Sequence, residues 1–371
     1  MHVLVIADAL SGSWTYIREL VTGLVTRGVR VTLVSLGEIP LPDQTAWMDH
    51  LHGLDYRPTA FRLEWMQEAE EDLPESSAFL AGLVDELQPD VLHLSQFCYG
   101  DLPVDVPRVV VANGDLLTWR ESVQDRMPRC SPTKWYCDTI ARGIAGANAV
   151  VAPSCWMLDR ISACYTRPLR SEVIYPGRNP IFFNPYISKE DSVLAVGRLV
   201  DAGKQVSLLT QHEHPVPVCI VGAEQTVAVP RIPIRADVKV AVAETSVAIC
   251  GPQTEAQLRA LYSRASIFAA TARYDPIGMS ALEAAFSRCA IVANDIPSFR
   301  EMWGDTALYF RTNNAASLAA SIRLLNEDRS MRRAYAELAY TRARERFTSK
   351  RMIEDYLELY RGLTAVRSAA A

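Results

Sequence analysis

Short apolar, β-branched runs alternate along this chain with longer stretches whose apolar positions recur every three or four residues, the pattern of parallel βαβ units. In the first half it predicts strands at His2 to Ala7, Arg30 to Leu36, Val91 to Ser95, Arg108 to Ala112, Ala149 to Ala152 and Glu172 to Tyr175. Ile17, Leu20, Val21, Leu24 and Val25 form one helical stripe that must pack on a sheet, and Gly28 is its C-cap. Between about 176 and 190, Pro176, Gly177, Asn179, Pro180, Asn184 and Pro185 break the pattern and read as a linker. A second series follows: strands at Val193 to Val196, Pro217 to Val221, Val247 to Cys250, Ser266 to Ala270 and Ala290 to Ala293. Thr254 to Gln257 reads as a capping box, and helices are expected at about 315 to 326, 328 to 346 and 350 to 364. The pattern predicts two doubly wound α/β domains joined by a Pro-rich hinge, with substrates bound beyond the carboxyl ends of the strands, in the cleft between them.

Composition narrows the function. With 371 residues, 49% of them hydrophobic, each half can bury a full core, which excludes disorder and fibrous repeats. A net charge of −5 argues against a protein that grips nucleic acid through its overall field. Asp8 interrupts the first apolar run and no basic region precedes it, so no secretory signal is read; no apolar stretch is long enough to span a membrane, and a cytoplasmic location is expected. The eight cysteines (98, 130, 137, 155, 164, 219, 250 and 289) show no C-x-x-C, which points to free buried thiols rather than disulfides or zinc. Only five of 38 basic residues are lysines, at 134, 189, 204, 239 and 350, a bias of background composition.

Two loops carry candidate chemistry. Tyr274 to Ala285 follows a predicted strand and opens a helix, so Gly278 falls at the helix start and the amides of Met279 and Ser280 are left for an anion. Asp275 and Glu283 flank that start; carboxylates repel phosphate, so their work there is to accept hydrogen bonds from hydroxyls. Gly197-Arg198-Leu199-Val200-Asp201-Ala202-Gly203-Lys204 follows the first strand of the second series, and Arg198 and Lys204 could both meet a diphosphate. Taken singly, each loop is equally an ordinary turn with surface charges.

Gly197-Arg198 with Lys204, Val221-Gly222, Leu258 to Ala265, Asp275 to Glu283, Ala290 to Asp295 and Phe299-Arg300-Glu301 resemble, in order and spacing, the second domain of the retaining glycosyltransferases of family 4, which have the GT-B fold. Gly12, Pro89 to His93 and Ala147 to Ser154 extend the likeness, more weakly, to the first domain. The resemblance implies an N-terminal acceptor domain over 1–178, rejoined by a last helix at about 350–371, and a nucleotide-sugar domain over 179–349. It implies that Asp275 contacts the transferred sugar, that Glu283 holds the ribose, and that Arg198 and Lys204 stabilise the departing diphosphate, with Gly12, Gly197, Gly278, Met279 and Ser280 also lining the donor. The expected activity is metal-independent, retaining transfer to a small-molecule, glycan or lipid-linked acceptor, with no cofactor beyond the donor.

Two departures bear on this. The first acid of the family's pair is usually Glu, and here it is Asp275, one methylene shorter. A His usual after the strand at 108 to 112 is replaced by Asn113, which cannot titrate near neutrality. In a front-face mechanism the leaving phosphate can take the acceptor's proton itself, so Asn113 is retained as a catalytic-site candidate. The alternatives are a catalytically weakened nucleotide-sugar binder or an epimerase of the same fold. His93 reads as a core residue, and Glu68, Glu70, Glu71 and Asp72 as a solvated loop or helix face. Arg332, Arg333, Arg342, Arg344 and Arg346 read as a solvent face, with weak peripheral membrane contact as the alternative. Trp65 and Trp119 read as loop residues that pack or line an acceptor pocket.

Overall fold

The computed structural model describes residues 1–9, 12–123, 134–222 and 247–370, which leaves Cys130 and Lys239 outside the described residues. The chain divides into unit 1, Met1–Gly177 with Ser349–Ala371, and unit 2, Arg178–Thr348.

Unit 1 contains β1 (His2–Asp8), α1 (Ser13–Val25), β2 (Arg30–Leu36), α2 (Pro42–Thr45), β3 (Leu54–Pro58), α3 (Ala69–Leu87), β4 (Val91–Leu94), β5 (Arg108–Val111), α4 (Leu116–Val123), α5 (Lys134–Gly146), β6 (Ala149–Ala152), α6 (Cys155–Cys164) and β7 (Ser171–Val173). The strands form one parallel sheet in the order β3-β2-β1-β4-β5-β6-β7. β1 lies inside it, between β2 and β4, with every residue buried, which is why its sequence is a continuous apolar run rather than an alternation. The edge strand β3 has no fully buried residue, and its mixed Leu-Asp-Tyr-Arg-Pro sequence carries no apolar run to betray it. α1 turns Ile17, Leu20, Val21 and Leu24 into the core as its stripe predicts, each worth about 2 kcal/mol of burial. The acidic run opens α3, where Glu70, Glu71 and Asp72 meet the positive end of the helix dipole. Trp119 lies on α4 rather than in a loop, because Asp115 caps that turn by accepting from the Leu117 and Thr118 amides.

The chain's last helix belongs to unit 1 and packs on α1 and β4. Tyr16 donates to the Tyr356 hydroxyl at 2.5 Å, and Tyr360 meets His93 Nδ1 at 2.7 Å. Burial pushes His93 down to about 3, so its ring is neutral and the Tyr360 bond joins two uncharged groups. His93 is therefore a core residue that helps hold that helix.

Unit 2 contains β8 (Glu190–Val196), β9 (Val218–Val221), β10 (Val247–Ile249), α7 (Glu255–Arg264), β11 (Ala265–Ala270), α8 (Met279–Phe286), β12 (Ala290–Asn294), α9 (Pro297–Trp303), β13 (Leu308–Phe310), α10 (Ala315–Glu327) and α11 (Arg329–Arg346); α12 is the last helix of unit 1, Ser349–Ala370. Its parallel sheet runs β10-β9-β8-β11-β12-β13. Thr254 forms the expected capping box with Gln257. Cys219 and Cys250 are joined as a disulfide, which corrects the expectation of free thiols throughout. Neighbouring strands β9 and β10 bring their Cα atoms to 6.4 Å, a proximity that a separation of 31 residues does not announce. Two of the arginines read as a solvent or membrane face are likewise spent inside the unit. Arg332 is buried and pairs with Asp191 at 2.6 Å, and Arg342 donates to the carbonyls of Met302 and Glu301 at the end of α9. Among the described residues no helix is long and apolar enough to cross a membrane.

Candidate donor site

In an open parallel sheet a crevice forms where the strand order reverses, because the loops after the two flanking strands leave in opposite directions. In unit 2 the reversal lies between β8 and β11, and the two motif loops, 197–204 and 271–278, are the ones that follow those strands. They are tied to each other. The Arg273 and Tyr274 amides donate to the Gly203 carbonyl at 2.8 and 3.3 Å, and Thr271 Oγ1 donates to the Lys204 carbonyl at 2.8 Å. Asp201 folds the first loop: Oδ1 accepts from the amides of Gly203 and Lys204 at 2.9 and 3.2 Å. Asn294, at the end of β12 and fully buried, donates to the Ala272 carbonyl at 3.0 Å and holds the second loop from behind.

The glycines allow this closeness. A Cβ on Gly197 would lie 2.9 Å from Lys204 Cβ, and one on Gly222 would lie 2.3 Å from the Gly197 carbonyl oxygen. Gly278 is needed for its φ of +65°, and a Cβ there would also push the end of the Met302 side chain aside, with Sδ at 2.7 Å.

A small recess results, lined by Lys204, Thr271, Asp275, Ser280 and Phe299 among others. Lys204 Nζ lies 3.0 Å from Asp275 Oδ1, with the two side chains 35% and 13% exposed. The same Oδ1 accepts from the Gly278 amide at 3.1 Å, so Asp275 caps its own turn into α8, a contact three residues away that suits the short Asp side chain. Gly278 is the N-cap of α8 and supplies no side-chain cap, and the amides of Met279 and Ser280 stand in a first turn where the helix provides no acceptor. Met279 itself is buried.

The other predicted residues are placed differently. Arg198 is 38% exposed, pairs with Asp201 Oδ2 at 3.2 Å and does not line the recess. Glu283 is buried, one turn into α8, with Oε1 at 2.9 Å from Arg178 Nε. Tyr262, wholly buried, sets its hydroxyl beside Ser280 and Glu283, and burial with the Glu283 charge raises its pKa well above the usual value. Gly12 and Asn113 belong to unit 1. Gly12 is the N-cap of α1 in an ordinary right-handed conformation, and among the described residues nothing stands where a Cβ would be, so its backbone does not demand glycine. Asn113 follows β5, and its Nδ2 is buried without a partner among the described residues.

Three contributors escape a reading of the sequence. Asp201 could have been found from its place two residues before Gly203, the spacing of an Asx turn. Asn294 and Arg178 act over long sequence separations and leave no local sign. Among the described residues no group of three or more His, Cys, Asp and Glu side chains is arranged to hold a metal.

Two Rossmann-like units, one with a cation, an acid and a helix start gathered at its switch point, define an α/β protein of the GT-B class. Residues 10–181 match the model of Glycosyltransferase Family 4 and residues 182–342 that of Glycosyl transferases group 1; the chain belongs to these GT-B glycosyltransferases. Its fold is similar to sucrose-phosphate synthase from Thermosynechococcus elongatus (TM-score 0.79, 17% identity, 99% of this chain and 100% of that one). It is also similar to Anabaena HepE in complex with UDP and glucose (0.75, 14%, 98% and 100%) and to a glycosyltransferase from Rickettsia africae (0.70, 16%, 98% and 98%). No curated protein matches the sequence.

Proposed function

We propose that this glycosyltransferase moves a sugar, with retention of anomeric configuration and without a metal, from a nucleotide-diphosphate sugar to an acceptor hydroxyl. The observation that carries the reading is the convergence of Lys204, Asp275 and the start of α8 on one recess at the β8/β11 reversal. Leaving of a nucleoside diphosphate develops negative charge on the β-phosphate, and fixed donors stabilise such charge. Lys204 Nζ and the amides of Met279 and Ser280 are those donors in this proposal, which is why none need be a metal. The ammonium now on Asp275 turns to the diphosphate, and Asp275 Oδ2, the oxygen not engaged with Gly278, accepts from a sugar hydroxyl. Glu283 accepts from the ribose hydroxyls.

Arg198 serves in this scheme through Asp201, by bracing the loop that carries Lys204, and approaches the diphosphate only if that pair opens. Gly12 is proposed to line the donor, and Asn113 is proposed for the acceptor side as a hydrogen-bonding and not a proton-transferring residue. HepE has been solved with UDP and glucose, which supports a UDP-sugar as the first donor to try. A cytoplasmic location belongs to the same proposal.

The test is incubation with UDP-glucose, GDP-mannose and ADP-glucose, with and without acceptor extracts and with EDTA. Release of nucleoside diphosphate undiminished by EDTA, and a product of the donor's own anomeric configuration by proton NMR, are expected. An inverted product contradicts retention, and tight binding without release favours the weakened binder.

A further inference from the structure

Arg178 is the first residue of unit 2 and is 1% exposed, among the largest wholly buried side chains of the protein. A buried guanidinium is costly unless it is matched, and this one is matched on several sides. Nε lies 2.9 Å from Glu283 Oε1 on α8, and an Nη donates to Glu255 Oε1 on α7 at 3.2 Å. Its plane stands over Phe183 at 5.3 Å, and Phe183 stacks on Phe286, one turn beyond Glu283 on the same helix. The backbone is fixed as well: the Arg178 amide donates to the Phe347 carbonyl at 3.0 Å and the residue bridges Thr348. Arg259 shares Glu255 at 2.5 Å, so two guanidinium groups meet two carboxyl side chains here. None of this is needed to start a helix, since α7 has its own capping box and α8 its own glycine.

We infer that Arg178 is a positioning residue for nucleotide binding: its guanidinium holds the Glu283 carboxylate charged and in one rotamer, so that α8 presents a fixed acceptor to the ribose diol. The inference rests on the proposed role of Glu283 in holding the ribose. A carboxylate buried as deeply as Glu283 would take up a proton without a cation beside it, and a protonated acid is a poorer acceptor for a hydroxyl. Arg178 from the start of the unit and Tyr262 from α7 both face it, and Ser280 of its own helix bonds the same Tyr262 hydroxyl. Glu255 and Arg259 act on it through Arg178, and Lys189 lies behind Tyr262, donating to the Tyr262 carbonyl and reaching Cys289 Sγ. Among these, the cation in contact with the Glu283 carboxylate is Arg178.

Calorimetric titration of the full chain with UDP, GDP and ADP selects the tightest nucleotide, which is then compared with its 2′,3′-dideoxy analogue. Wild type is expected to prefer the ribose form by roughly tenfold or more, the scale of a charge-assisted hydrogen bond. In Arg178→Met the preference is expected to fall to within about threefold at pH 6, on the same scale, and to recover towards pH 8.5 as the unpartnered Glu283 loses its proton. Arg178→Lys keeps the charge but loses the fork to two carboxylates, so an intermediate preference is expected, and it decides the matter if the Met variant does not fold. An undiminished ribose preference in the variants at pH 6 overturns the inference while leaving the ribose role of Glu283 intact. A wild type that binds nucleotide without preferring ribose overturns that role and the inference with it, and a wild type that binds none of the three nucleotides overturns the donor reading beneath both.

Discussion

In unit 1 the strand order reverses between β1 and β4, and in unit 2 between β8 and β11, so each sheet has a crevice where ligands of open α/β sheets bind. The acids near the strand ends are used differently. In unit 1, Glu64 is buried and accepts from the Cys98 amide at 2.8 Å, while Asp115 is consumed by the Leu117 and Thr118 amides and the Tyr165 hydroxyl. In unit 2, Asp201 does the same local work and Asp275 caps its own turn into α8, while Lys204, a third exposed, stands against Asp275 at the recess. The difference teaches that acid-rich loops are weak signs of a site. What separates a site from a turn is a charged group left over once the backbone has been satisfied.

The largest expected effect follows from that. Lys204→Ala should lower kcat on the order of 100- to 1,000-fold, the usual loss for one leaving-group or oxyanion donor, with Tm nearly unchanged because the side chain is a third exposed. A kcat within a few-fold of wild type would remove Lys204 from the chemistry. In unit 1 the comparable blow is structural. A Cβ on Gly143 would stand 1.8 Å from the Phe97 carbonyl oxygen, so Gly143→Ala forces α5 off the turn after β4. A loss of about 3 kcal/mol in urea unfolding is expected, and an unchanged midpoint would show that this contact yields easily.

Two buried groups of unit 1 give a smaller, signed effect. Burial raises Glu64 to about 7, so between its unfolded value near 4.3 and pH 7 the folded state holds a proton that the unfolded chain has lost, and stability falls as pH rises. His93, pushed down to about 3, works in the opposite sense: between pH 3 and 6.5 the unfolded chain binds the extra proton, and stability rises with pH. From about pH 4.5 to 6.5 the two slopes oppose each other. Glu64→Gln should remove one of them, so that the variant gains stability over wild type by up to about 1.4 kcal/mol per pH unit as pH rises. Parallel urea midpoints at pH 5, 6 and 7 would contradict this. The smallest effect is expected at Arg57, which forks onto Glu86 at the surface; Arg57→Ala should cost under about 1 kcal/mol.

Much of this was legible in the sequence, for reasons that differ by element. Central strands such as β1 and β11 are buried on both faces and must be apolar throughout, so they read plainly; β3 and β13 are short, half-exposed edges with no such demand. The recess was legible because Lys204, Asp275 and Gly278 do their work within one loop of a strand end. Glu283 was found, but its partner was not. Arg178 meets it across 105 residues from inside a run of Pro, Gly and Asn that reads as a linker. The Cys219–Cys250 bond was hidden for a similar reason, being set by strand neighbourhood and not by spacing.

The central claim is that the β8/β11 crevice of unit 2 holds the nucleotide diphosphate. A crystal structure of the protein soaked with UDP, or with whichever diphosphate the donor panel selects, tests it directly. The account predicts the phosphates on the amides of Met279 and Ser280 with Lys204 Nζ turned from Asp275 onto them, at roughly 2.7–3.2 Å, and the ribose against Glu283. A diphosphate bound elsewhere, with Lys204 still on Asp275, would contradict it.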